Sequence, residues 1–285
     1  MHICRFKQPN AEVRIGLVLD QAVVADLSAA GIESLQSLLE SEDPVARLNQ
    51  VSPAALPQYP LSEVQLCPPV EGQEVWAAGV TYLRSKHARM QESAFSANAY
   101  DRVYEAERPE LFFKSLPEKV VPDGEPVGIR RDARWNVPEP ELALVLCSRG
   151  RIVGYTIGND MSARDIEGEN LLYLPQAKIY HRSCALGPWI TLGVSETTAR
   201  QWTLHLAVRR AGSLVFSGQT VAAQIKRAFP ELAGFLFRSQ MFPRGAILLT
   251  GTGIVPPDDF TLHEGDRVEI AVSGIGRLSN PVVAV

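Results

Sequence analysis

From residue 110 onward the chain is a succession of short apolar runs, and this pattern limits the fold more than any other feature. Glu110–Lys114, Glu141–Leu146, Arg151–Ile157, Trp202–Val208, Ala246–Thr250 and Arg267–Val272 read as strands. One helical stretch, about 221–239, interrupts them, with Pro230 expected in the first turn of a second helix. Strands and helices do not alternate regularly, which argues against Rossmann and TIM-barrel folds, and no internal repeat is present. The pattern predicts an α+β, mainly β domain.

Residues 1–70 read as a separate small domain ahead of a larger one over 71–285. Arg14–Asp20 and Ala22–Asp26 form two short apolar strands joined by a tight turn, followed by helices over Ile32–Leu39 and Val45–Leu48. Segment 52–71 carries five prolines and reads as a linker. Glu74–Gly79 then resumes as a strand, and the polar, helically spaced 81–95 segment predicts an exposed helix or lid.

With 285 residues the chain can bury a substantial core. A net charge of −4 and a pI near 5.8 leave no basic footprint for nucleic acid or anionic membrane. No apolar run reaches the ~18 residues of a membrane span, and the N-terminus lacks a signal-peptide pattern. Cysteines 4, 67, 147 and 184 lack C-x-x-C spacing, and Cys147 and Cys184 lie in apolar runs as expected of buried thiols. These features predict a cytoplasmic protein that acts on a small molecule.

The chemistry concentrates in Trp135-Asn-Val-Pro-Glu139-Pro-Glu141, which leads into an apolar strand. Residues two apart on a strand share a face, so Glu139 and Glu141 point the same way and repel unless a cation or proton lies between them. An isolated E-x-E is more often a solvated strand start. Here a second strand, Arg151 to Asn159, delivers Asp160 at its end. Three converging carboxylates suit a hard cation with positions left open for water or substrate, and the absence of histidine from the cluster argues against zinc. Asp165 and Glu167 are assigned to the first turn of the following helix.

The E-x-E strand, the run Gly154-Tyr-Thr-Ile-Gly-Asn-Asp160-Met-Ser-Ala-Arg164-Asp165, the loop Pro175-Gln-Ala-Lys178 and the C-terminal Leu249-Thr-Gly251-Thr252-Gly253 together resemble the fumarylacetoacetate hydrolase-like superfamily. The closing stretch Gly274 to Val282 resembles that family's last strand. The likeness extends over nearly everything after residue 74. It implies a mixed β-sandwich roll with a small N-terminal α/β domain, assembled as a homodimer or homotetramer. It also implies Mg²⁺, with Mn²⁺ or Ca²⁺ as alternatives, held by Glu139, Glu141 and Asp160. Arg164, Thr252 and Gly251 would bind the carboxylate and hydroxyls of a 2-keto acid.

Within the superfamily, many hydrolases carry a Y-x-x-H-x-x-E lid motif, but after Tyr82 this chain has Ser85 and Ala88 at the matching places. His87 remains the one nearby residue able to activate water, and Val80 stands where fumarylacetoacetase has a metal aspartate. The run Tyr104 to Lys114 instead resembles the 2-keto-3-deoxy-pentonate dehydratase branch, in which a glutamate ahead of the E-x-E pair serves as acid–base. Glu110 occupies that place. The resemblance implies dehydration of 2-keto-3-deoxy-D-xylonate or -arabinonate to 2,5-dioxopentanoate, in non-phosphorylative pentose catabolism. Lys178 would be the base at C3 and Glu110 the acid at the C4 hydroxyl, with Tyr82 and Phe113 or Phe112 walling the pocket. The rival expectation is a C–C hydrolase of acylpyruvate- or fumarylacetoacetate-type diketo acids, dependent on His87.

Overall fold

The computed structural model describes residues 1–9, 11–84 and 102–285, so statements of absence below concern those residues. Most of the expected 81–95 helix, with Ser85, His87 and Ala88, lies outside them.

The N-terminal strands are β1 (His2–Lys7), β2 (Arg14–Leu19), β3 (Val23–Asp26), β4 (Gln58–Pro60) and β5 (Gln65–Cys67). Next come β6 (Glu74–Gly79), β7 (Glu110–Ser115), β8 (Val127–Ile129), β9 (Asn136–Val137), β10 (Pro140–Leu146), β11 (Ile152–Asp160), β12 (Ser162–Ala163) and β13 (Cys184–Leu192). The last five are β14 (Thr203–Arg210), β15 (Ser213–Val221), β16 (Ala246–Leu249), β17 (Arg267–Val272) and β18 (Gly276–Ala284). An 11-stranded sheet runs β4-β3-β2-β1-β13-β11-β10-β16-β6-β7, with β5 also paired to β1. A five-stranded sheet runs β15-β14-β17-β18-β8. All pairings in the large sheet are antiparallel except β16 with β6, which makes it mixed.

Strand alternation places a core on each face of the large sheet. On β10, Leu142, Leu144 and Leu146 face the five-stranded sheet and join Leu204, Leu206, Ile270 and Leu278. Ala143 and Val145 face the other way, toward helices α1 (Leu35–Leu39) and α2 (Pro44–Asn49), where Leu35, Leu38 and Leu48 are buried. Buried on both faces, β10 can consist almost wholly of apolar residues. β13 is likewise buried throughout and has no counterpart among the strands read from the sequence.

Residues 1–70 extend this same sheet, because β1 pairs with β13 in the register His2↔Thr191. The proline-rich 52–71 segment is built into it as well: β4 pairs with β3, and β5 with β1. Three-residue edge strands tolerate prolines that a central strand would not. In the 221–239 stretch a single helical turn at 222–224 precedes a helix over Phe229–Leu236, with Pro230 in its first turn as expected. Among the described residues no helix is long and apolar enough to cross a membrane.

Candidate active site

The β10–β11 register brings three carboxylates to one face. Glu141 pairs with Gly158 and Pro140 with Asn159, so the next rung sets Glu139 opposite Asp160. The Asp160 amide donates to the Glu139 carbonyl at 2.9 Å. Directly opposed residues share a face, as do residues two apart. Ligand oxygens of Glu139, Glu141 and Asp160 accordingly lie within 4.8 Å of one another, and all three residues are buried. Burial, followed by the charges of Asp160 and Glu139, pushes the Glu141 carboxyl well above the usual carboxylate range, opposed by Lys178 and the Gly251 amide.

Buried like charges require counter-charge, and three cations provide it. Lys178 ends a short helix over Leu174–Lys178, and its Nζ donates to Glu139 Oε2 at 2.8 Å, Asp160 Oδ2 at 3.0 Å and Ser162 Oγ at 2.6 Å. Arg164 opens the helix Arg164–Glu169; its Nη2 reaches Glu139 Oε1 at 2.7 Å and its Nη1 reaches Glu167 Oε2 at 3.4 Å. Lys114, fully buried, contacts Asp160 Oδ1 and donates to the carbonyls of Met161 and Lys178. Glu139 and Asp160 are thus each held by two cations. Glu141 accepts the Gly251 amide and has no ion-pair partner among the described residues. An added divalent cation between these carboxylates would supply the charge that Glu141 lacks, so the donor set fits a hard metal ion.

The triad forms one wall of a pocket enclosing roughly 370 Å³, its open mouth included. Glu110, at the start of β7, also lines the pocket and pairs in register with Gly79 at the end of β6. Gly251 and Thr252, just after β16, line it too. Gly251 has φ +89°, and a Cβ there would overlap Thr81 Oγ1 and stand 3.0 Å from the Ala78 carbonyl. Only glycine lets this loop pack so closely, and Thr81 Oγ1 ties it down by donating to the Thr250 carbonyl at 2.6 Å. Val80, also on the pocket wall, has φ +52°, a conformation that costs a β-branched residue strain of a kind that gathers at functional sites.

Of the residues expected from the sequence, Glu110, Glu139, Glu141, Asp160, Lys178, Gly251 and Thr252 all line this one pocket. Phe113 does not. It faces the other side of β7, packed edge-on against Trp76 with centroids 5.9 Å apart, and Phe112 lines the pocket instead. Strand alternation from Glu110 selects Phe112 and Lys114 for the site face. Arg164 stands behind the carboxylates rather than at the pocket wall. Tyr82 is buried against Gly253, where a Cβ would stand 2.5 Å from the Tyr82 ring. Burial and the nearby Glu141 charge raise its phenol pKa. Ser162 lies within the run that carries the family resemblance but was assigned no role, and Lys114 carried no signal beyond its place on a strand. Glu167 occupies a first helical turn as expected, yet it is buried and reaches the pocket. Burial pushes the Cys184 thiol up to about 12, which keeps it protonated and unsuited to nucleophilic work.

The family model for the fumarylacetoacetate (FAA) hydrolase C-terminal region matches residues 74–283. A Haloferax volcanii protein named probable 2-keto-3-deoxyxylonate dehydratase is 46% identical over 217 residues, covering 76% of this chain and 74% of its own length. The 2-dehydro-3-deoxy-D-arabinonate dehydratase of Saccharolobus solfataricus is 37% identical over 270 residues, 93% of this chain and 91% of its own. A solved structure of 2-keto-3-deoxy-D-arabinonate dehydratase complexed with magnesium and 2,5-dioxopentanoate matches with a TM-score of 0.84 and 33% identity, covering 100% of this chain and 99% of the other.

Proposed function

This chain belongs to the fumarylacetoacetate hydrolase family, and we propose that within it the protein is a Mg²⁺-dependent hydro-lyase. It converts a 2-keto-3-deoxy-pentonate, of the xylonate or arabinonate series, into 2,5-dioxopentanoate and water in pentose catabolism. The observation that carries this reading is a single pocket holding the carboxylate triad and Lys178 together with Glu110. Dehydratase relatives and the magnesium–product complex of a similar structure support it.

Glu139, Glu141 and Asp160 would hold the ion. When bound, Mg²⁺ supplies Lewis-acid polarisation of the 2-keto group, which acidifies the C3 protons. Lys178, its neutral amine favoured by the charge of a bound ion beside it, takes a C3 proton, and Glu110 protonates the departing C4 hydroxyl, which leaves as water. A C5 proton then moves to C3, leaving a C4=C5 enol whose hydroxyl proton passes to C4 to give the C5 aldehyde. Thr252 and the Gly251 loop orient the carboxylate end, Phe112 walls the pocket, and Arg164 fixes Glu139 from behind. Localisation in the cytoplasm and assembly as a homodimer or homotetramer complete the proposal.

The test is formation of 2,5-dioxopentanoate from racemic 2-keto-3-deoxy-pentonate, followed through a coupled NADP-dependent semialdehyde dehydrogenase. Mg²⁺ should support product formation and excess chelator should abolish it. Pyruvate released from an acylpyruvate, with no dehydration product, would favour hydrolysis instead. Glu110→Gln should lower turnover about 10²-fold or more while leaving Mg²⁺ binding intact; unchanged turnover would remove Glu110 from the mechanism.

The raised Glu141 pKa predicts proton-linked metal binding. A carboxyl with a raised folded-state pKa contributes stability at low pH, which is lost as pH rises through that pKa. Mg²⁺ binds the ionised form, so its affinity, and the thermal stabilisation it confers, should both grow as pH rises through the same range. Calorimetry in buffers of different ionisation enthalpy should show proton release on Mg²⁺ binding. A buffer-independent heat would contradict this.

A further inference from the structure

We infer that Gly79 is a positioning residue whose missing side chain admits the Glu110 carboxyl to the reaction pocket. The inference rests on the reading of Glu110 as the acid–base group. The two residues are registered partners on β6 and β7, so their side chains would share a face. A Cβ on residue 79 would overlap Glu110 Oε2, stand 2.6 Å from Cδ and 3.3 Å from Cγ. The space that any other residue would fill is therefore occupied by the carboxyl group itself. Both residues line the pocket together with the carboxylate triad. Gly79 is not among the positive-φ glycines, so backbone conformation does not require glycine here.

This geometry separates catalysis from folding. The overlap at position 79 falls on the far end of a flexible side chain, which can swing away without disturbing the sheet. Gly79→Ala should therefore fold normally yet displace the Glu110 carboxyl. A shift of about 1 Å in a reacting group is enough to cost about 10²-fold in turnover. The loss should appear in kcat, with KM and the Mg²⁺ requirement near wild type, because the triad and the Gly251 loop are untouched.

Glu110→Asp supplies the control. The aspartate carboxyl carbon would sit near the present Cγ, 3.3 Å from a residue-79 methyl, and rotation about its Cβ–Cγ bond turns both oxygens away from that methyl. The effect of Gly79→Ala should consequently shrink toward zero in the Glu110→Asp background. Steady-state kinetics and thermal midpoints of Glu110→Gln, Glu110→Asp, Gly79→Ala and the Gly79→Ala/Glu110→Asp double variant test this. Loss of kcat in Gly79→Ala, absent from the double variant relative to Glu110→Asp, is the expected result. An equal loss in both backgrounds, or wild-type kcat in Gly79→Ala while Glu110→Gln is impaired, overturns the inference. Wild-type kcat in Glu110→Gln instead overturns the acid–base reading on which it rests. If Gly79→Ala alone fails to fold, the double variant still decides: kinetics matching Glu110→Asp support the inference, and failure to fold overturns it.

Discussion

Lys178→Met should lower turnover about 10²- to 10⁴-fold at saturating Mg²⁺, the range typical of losing a positioned acid–base group. Methionine keeps most of the side-chain volume, so Phe112, whose ring centre lies 5.8 Å from Nζ, and the helix ending at Lys178 keep their packing. Nitrogen is lost from a point within 3.0 Å of both Glu139 and Asp160. Removing that positive charge makes the carboxylate cluster more negative, so Mg²⁺ binding should be retained or tightened even as turnover collapses. Calorimetric Mg²⁺ titration alongside kcat separates the two effects. Turnover within a few-fold of wild type would remove Lys178 from the chemistry, and loss of Mg²⁺ binding would recast it as a structural support of the metal site.

Lys114→Met should destabilise the metal-free protein by about 3–5 kcal/mol, the usual consequence of breaking a buried ion pair from one side. Lys114 is 1% exposed, and its ammonium spans Asp160 and the carbonyls of Met161 and Lys178, tying together the two segments that deliver site residues. Methionine leaves both carbonyls without this donor and Asp160 with less compensating charge. At about 2–4 °C per kcal/mol for chains approaching this size, the midpoint should fall on the order of 10 °C. Saturating Mg²⁺ should recover part of the loss, because it binds the folded state and restores positive charge beside Asp160. Thermal melts with and without Mg²⁺ read both effects. A shift of only a degree or two would show that Lys178 and solvent suffice to hold Asp160.

The carboxylate site was legible because strand geometry is periodic. Glu139 and Glu141 share a face by spacing alone, and Asp160 ends a strand that the apolar run Ile152–Ile157 makes plain. Lys178 and Gly251 were legible only through resemblance, since a lysine after a helical turn and a glycine in a loop have no periodicity to read. The resemblance leaves Phe113 and Phe112 both open, whereas the alternation that starts at Glu110 selects Phe112 and puts Lys114 on the same face. A lysine closing a strand reads as solvent-facing, and only tertiary packing reveals that it is buried. β13 is hidden in the sequence because Gly187, Pro188 and Thr191 interrupt the apolar run Cys184–Leu192. β4 and β5 were hidden by prolines, which mark linkers and short edge strands alike. Pairing of β1 with β13 is a long-range contact, which local sequence does not encode.

The most direct test of the central claim is the product mixture itself. Purified protein with Mg²⁺ and 2-keto-3-deoxy-pentonate, followed by ¹³C NMR, should convert the C4 carbinol signal to a methylene and produce an aldehyde at C5. All five substrate carbons should be retained in 2,5-dioxopentanoate, and chelator should stop the conversion. Appearance of pyruvate with a two-carbon fragment, or a conversion indifferent to chelator, would contradict a metal-dependent dehydration.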